Sequence, residues 1–482
     1  MKLKFQPRSA SDALGQPGIR ALLLLVTLVS LYSIYGSLYF YRDPLSIFFS
    51  EDHGFDRFYS ATRQAEADEF LDAALANPNS AQWSLGTAGA DPQICAVFIT
   101  VGRDMAGRQY IDSAVGSFLA NMSRAEREAT HLKLFFADVP NPDTQHKSYT
   151  KFANADIADE VFTYNTTLSP QEKDSRIREL MWFAKDRQNK HALERKTVYD
   201  YAYALDRCVK TTNAPYIALF EGDILLAEGW AARTLKNLQI IEDMMKEPRR
   251  HNPQSGKVEP GGPNTWLYLR LFNQERSFGW SGGSGFRSNN VHIISVAVAI
   301  PLLLVLALAR RQLPRHLARH LDWWTLLVIC GLAVPLFIWL FYASGKAALI
   351  GAPRGVHEEW FGCCNQALVY NREHARGLAH YMKVASKHES PGRSDMLPKQ
   401  FAWDHGLARI SAYPMLAQHA GRVSAIDTSN DEAKRVWSMA FEDFKPSKLT
   451  REHVTDVLDL FGDEATEQMI RQWSIPGYDF TN

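Results

Sequence analysis

Cysteine is scarce, with five residues in a chain of 482. That is too few for a disulfide-built scaffold, and no pair of them has the spacing of a zinc site. Net charge is missing as well, because 53 Lys and Arg balance 53 Asp and Glu. No bulk charge therefore points to nucleic acid or to an acidic polymer as partner. The 15 histidines form no tight ligand cluster, which counts against a hydrolase built on several His and Asp ligands. The basic N-terminal tail has no lipidation signal, and the last residues carry no retrieval signal. Apolar residues are not lacking. At 46% apolar and 12% aromatic, the chain can bury a large core, and disorder of the whole is excluded. Its length allows two or three average domains, or one with insertions.

The apolar residues are unevenly spread. Segments 21–41, 291–309 and 323–342 each approach the roughly 20 residues that cross a bilayer as a helix. Pro301 and Pro335 lie inside the later two, which membrane helices tolerate. Lys2, Lys4, Arg8 and Arg20 precede the first segment, and Arg310, Arg311, Arg315 and Arg319 fill the connection between the other two. The positive-inside bias assigns both basic groups to the cytosol. No small-residue cleavage site follows the first segment, so it reads as an uncleaved signal anchor. The expected layout is a cytosolic tail (1–20), an anchor (21–41), a luminal stem (42–92), a first catalytic part (93–290), a membrane hairpin (291–309 and 323–342) around a cytosolic connection (310–322), and a second catalytic part (343–482). Sequons at Asn121-Met-Ser123 and Asn165-Thr-Thr167 fall in the luminal portion. Cys95, Cys208, Cys363 and Cys364 fall there too, with adjacent Cys363 and Cys364 expected to bridge outward.

Along the luminal parts, helix-period apolar residues in 56–76 suit a stem helix, and the Pro, Gly, Ser and Asn of 77–92 suit a linker. Buried-strand patterns at 94–101, 131–137, a weaker one at 157–164, and 216–220 alternate with helical patterns at 110–120, 175–205 and 229–246. Strand-like runs recur at 266–272 and 367–370, and a helical pattern begins at Asp404 with Leu407 and Ile410. This alternation predicts an α/β fold with an open, mostly parallel sheet.

The focus of the chain is Glu221-Gly222-Asp223, directly behind the strand 216–220. Open α/β sheets bind ligands at the carboxyl ends of their strands. Two carboxylates flanking a glycine offer hard oxygen ligands for Mg or Mn carrying a diphosphate. A solvated acidic turn is the plain alternative. Arg103 and Asp138 also end strands, where a nucleotide or a structural ion pair would use them.

A signal anchor, a nucleotide-fold-like half, an acidic triplet after a strand and a membrane hairpin between sheet halves together resemble the Golgi GPI N-acetylgalactosamine transferases. These are three-span glycosyltransferases of the GT-A type, and the resemblance covers almost the whole chain. It implies a GT-A-like sheet interrupted by the hairpin, a UDP-sugar donor, Mn2+, and a GPI-anchored glycolipid or protein acceptor at the Golgi membrane. The family's animal members carry an acidic residue at the middle of the triplet, where this chain has Gly222. Asp223 is then the firmest metal ligand, with Glu221 a second ligand or a second-sphere or ribose contact and Arg103 and Asp138 at the nucleotide. An inverting transfer needs a carboxylate base. Asp404 is the first candidate, with Glu358 and Glu359 as rivals. Two other classes stay open: a metal-dependent luminal hydrolase of a lipid-anchored substrate, and a non-enzymatic multispan adaptor.

Overall fold

The computed structural model describes residues 16–78, 80, 83, 85–102, 108–138, 146–164, 190–246, 265–275, 280, 290–359, 364–388, 390–421 and 436–477. They form two compact units. One comprises Met1–Asp56 with Glu275–Ala352, the other Arg57–Gln274 with Pro353–Asn482.

The first unit holds three helices long and apolar enough to cross a membrane: Pro17–Tyr39, Val291–Gln312 and Trp323–Ala343, with mean hydropathies of 2.0, 2.7 and 2.4. At 1.5 Å per residue each reaches about 30 Å. Pro335 cannot donate a backbone hydrogen bond, and a wide π-helical stretch, Leu327–Ala333, lies just before it. The first and third helices run parallel. Near their starts a Cβ on Gly18 would come within 2.6 Å of Trp324 Cβ, and near their ends the Tyr32 and Ser344 hydroxyls meet at 2.7 Å. Arg20 and the basic connection before Trp323 therefore share one end of this unit. At the other end buried Asp43 accepts from the Leu45 and Ala348 amides, both at 2.9 Å. Gly345, at φ 88°, leaves room for it, since a Cβ there would lie 2.3 Å from Asp43 Oδ2.

The second unit is built on strands β1 (Ile94–Thr100), β2 (Thr130–Phe136), β3 (Glu160–Phe162), β4 (Tyr216–Glu221), β5 (Ile224–Leu226), β6 (Trp266–Arg270), β7 (Gly355–Glu358), β8 (Ala367–Asn371), β9 (Ala408–Tyr413) and β10 (Ala417–His419). Eight of them form one sheet in the order β3-β2-β1-β4-β8-β6-β9-β7, and β5 pairs with β10 apart from it. β1 to β4, β6 and β9 run one way, and β7 and β8 run against them. The expected mixed α/β, mostly parallel sheet is thus present. Strands on both sides of the apolar helical hairpin share it, because β6 pairs with β8 and with β9. Apolar side chains alternate between two faces, each with its own buried cluster.

Three expectations change. The segment taken as a stem is part of the sheet unit: the helix Tyr59–Ala76 buries Phe70, Leu71 and Ala74 in the core. Its Arg63 is fully buried and donates to the carbonyls of Leu226, Ser117 and Ala120 at 2.8–2.9 Å. Gly116 lets the helices touch, since a Cβ would lie 2.2 Å from the Ala67 carbonyl. Second, Asp404 closes a helix, Leu397–Asp404, rather than opening one. Gly406 takes a left-handed φ of 65°, and the Leu407 amide donates back to Ala402 at 2.8 Å, a Schellman stop. The chain then extends into β9. Third, Cys95 pairs with Cys208, so the outward bridge from Cys364 to either does not form. Cys364 is disulfide-bonded, Cys330 is free, and Cys363 and Asn165 lie outside the described residues.

Candidate functional site

β4 is a central strand, flanked by β1 and β8 and buried from Ile217 to Phe220. At its carboxyl end the chain turns through Glu221-Gly222-Asp223 into β5. Gly222 is pressed against β1: its amide donates to the Ile99 carbonyl at 2.9 Å, and a Cβ would lie 2.8 Å from Thr100 Oγ1. The middle of the triplet is therefore closed to a side chain, and the acidic groups are the two outer ones.

Glu221 accepts a short hydrogen bond from the Tyr201 hydroxyl on the helix Lys190–Thr211. Burial and the Glu221 charge push that phenol well above its usual pKa. Asp223 is 4% exposed. β10 lies antiparallel to β5 with His419 opposite Ile224, and this brings His419 Nε2 within 3.4 Å of Asp223 Oδ2. The Ala420 amide donates to the Asp223 carbonyl at 2.8 Å. Gly421 makes the approach possible, because a Cβ there would lie 2.3 Å from Asp223 Oδ2 and 3.0 Å from His419 Nε2. A carboxylate oxygen and an imidazole nitrogen thus lie within ion-pair distance of each other. Among the described residues no group of three His, Cys, Asp or Glu side chains is arranged around one point.

Asp138 lies two residues beyond β2 and receives the Gly102 amide on both oxygens, at 2.9 and 3.0 Å. It fixes the backbone leaving β1. Arg103 lies outside the described residues. At the end of β1, His146 accepts the Ser148 amide on Nδ1 at 3.1 Å, and its Nε2 is 3.2 Å from Thr100 Oγ1. With Nδ1 accepting, a neutral ring carries its proton on Nε2 and donates to Thr100, so it offers that hydroxyl no base.

The expected bases stand apart from the acidic turn. Phe220 pairs with Ala367, Leu368 with Arg270, and Arg270 with Ser411, so the late residues of β9 share the edge of Asp223. Asp404 precedes Ala408, the first residue of β9, and belongs to the opposite edge. It is exposed and accepts from Gln400 Nε2 at 2.7 Å. The first-choice base, Asp404, is thus placed away from the acidic turn. Glu359 is buried, and Arg270 Nε and the Tyr268 hydroxyl donate to it at 2.6 and 3.0 Å. Glu358 is exposed at the end of β7, opposite Ile410.

His419, Tyr201 and Gly421 were not found from the sequence. No local period marks them; they meet the triplet through sheet pairing and helix packing far along the chain. Compared with known proteins, the chain matches no family model, and none of the curated proteins matches it.

Proposed function

We propose that this chain is a Golgi glycosyltransferase that moves a sugar, N-acetylgalactosamine first among candidates, from a UDP-sugar to the mannose core of a GPI anchor. The observation that carries this reading is the meeting of Asp223 and His419 at the carboxyl end of β4. Ligands of open α/β sheets lie at that edge. The three apolar helices support an acceptor held at a membrane, since tethering raises the effective concentration of a lipid-linked glycan. The basic residues sharing one end of the span unit support a cytosolic tail and a luminal sheet unit.

The residues present fit Mn2+: one carboxylate oxygen and one imidazole nitrogen suit it, leaving positions for diphosphate oxygens and water. When bound, the ion would neutralise the charge of the leaving diphosphate. Asp223 and His419 would hold it, and Gly421 keeps a side chain out of their way. Glu221, oriented by Tyr201, lies on the neighbouring sheet face as a second-sphere or ribose contact. Inversion requires a carboxylate to accept the acceptor's proton. Asp404 lies at the other edge, Glu359 is tied to Arg270, and exposed Glu358 ends β7, four strands from β4, so none of the three is assigned as the base.

Two measurements test the reading. UDP should bind the purified full chain in a Mn-dependent way, and Asp223→Ala should abolish that binding; no nucleotide binding at all would favour the adaptor instead. Mass spectrometry of GPI glycans from cells with and without the gene should show loss of a side-branch sugar. An unchanged profile rejects the GPI acceptor.

A further inference from the structure

Gln366 is a polar side chain at the same edge that no step above uses. It precedes β8, and its carbonyl accepts the Glu221 amide at 2.9 Å, extending the β4–β8 pairing one residue beyond Phe220 and Ala367. Leu219 and Leu368 share one core cluster, while Phe220 and Ala367 share the other. Alternation therefore sets Glu221 and Gln366 side by side on one face, as a directly opposed cross-strand pair.

The Gln366 side chain is 8% exposed, and its Oε1 is buried with no hydrogen-bond partner among the described residues. Native proteins rarely keep such an atom without a reason, because its lost hydration is not repaid. Turning the amide over exchanges an orphaned acceptor for an orphaned donor. A hydroxyl group satisfies either orientation. In the orientation the structure shows, an ionised phosphate oxygen has no proton to offer the amide oxygen, whereas a sugar hydroxyl does.

We propose that Gln366 is a specificity-determining residue that hydrogen-bonds a hydroxyl or acetamido group of the donor's sugar, next to Glu221. This rests on the sugar-nucleotide reading of the Asp223 site.

Gln366→Met keeps the side chain's length and removes both polar atoms. The full chain in detergent micelles is titrated by calorimetry, in Mn2+, with UDP, UDP-N-acetylgalactosamine, UDP-N-acetylglucosamine and UDP-galactose. For whichever sugar nucleotide binds the unaltered protein more tightly than UDP, Gln366→Met should raise Kd roughly three- to tenfold and leave the Kd of UDP unchanged. The thermal midpoint should hold or rise, since an orphaned polar atom has gone, and Gln366→Asn, which shortens the reach, should show the same split. Equal sugar-nucleotide affinity in the variants overturns the assignment, as does an equal loss for UDP, or no sugar nucleotide surpassing UDP. An unaltered protein that fails to bind UDP at all removes instead the reading of the Asp223 site on which the assignment stands.

Discussion

His453 joins two parts of the sheet unit that lie far apart in sequence. Its Nε2 is 2.9 Å from Glu126 Oε2, both side chains are 1% exposed, and Glu228 Oε1 lies 3.8 Å from Nδ1. The Ser123 amide and hydroxyl also donate to Glu126 Oε2 at 2.8 Å, and the Ala232 amide donates to Oε1 at 3.0 Å. Burial opposes the imidazolium, but Glu126 and Glu228 outweigh it and raise the His453 pKa from 6.5 to about 9. Burial also opposes the Glu126 charge, yet His453 outweighs it and lowers that carboxyl below its ordinary 4.5. A raised histidine stabilises fully below its unfolded pKa and loses that contribution as pH climbs to the folded value. A shift of about 2.5 units, at about 1.36 kcal/mol per unit, is on the order of 3 kcal/mol, lost between about pH 6.5 and pH 9. The lowered Glu126 removes the pair's contribution again as pH falls below about 4.5. The assay is denaturant unfolding of the full chain in detergent, followed by tryptophan fluorescence at pH 6, 7.5 and 9.5, beside His453→Gln. The gap between the two proteins should be widest at pH 6 and narrow by most of that amount at pH 9.5. A gap that does not change with pH would refute the charged pair.

Gly421→Ala should weaken Mn-dependent UDP binding by at least about tenfold, because its Cβ would occupy space 2.3 Å from Asp223 Oδ2; calorimetry reads this, and unchanged affinity counts against Asp223 as a ligand. Asp404→Asn should leave transfer and donor binding within about twofold of the parent, since the exposed carboxylate lies at the other sheet edge; a kcat loss of a hundredfold or more would restore it as the base. Replacing Cys95 and Cys208 together by Ala should cost about 4–5 kcal/mol in denaturant unfolding, because the bridge closes a loop of sequence separation 113. Gly345→Ala should destabilise the span unit, as its Cβ would collide with Asp43 and its φ of 88° disfavours a side chain; a lower thermal midpoint in detergent, with donor affinity intact, is the expected result.

Sequence alone determined what depends on neighbours along the chain. Three long apolar runs became the apolar helices, and β-branched and aromatic runs became β1, β2, β4 and β8 within a residue or two. The acidic turn behind β4 was legible for the same reason, since a buried strand followed by Glu-Gly-Asp is a local pattern. The helix at Tyr59–Ala76 was visible too, but not its destination, because nothing in its period says that Arg63 will be caught by carbonyls of Ser117 and Leu226. At Asp404 the i, i+3 spacing of Leu407 and Ile410 suited a helix, and Gly406 together with pairing to β6 decided instead for a strand. Tertiary structure alone decided which side chains share a site. His419 reaches Asp223 through the β5–β10 pairing, Gln366 reaches Glu221 through β8, and His453 reaches Glu126 across a separation of 327 residues. A local pattern records whether a side chain is buried, whereas its partner is fixed by the closure of long loops, which leaves no period in the chain.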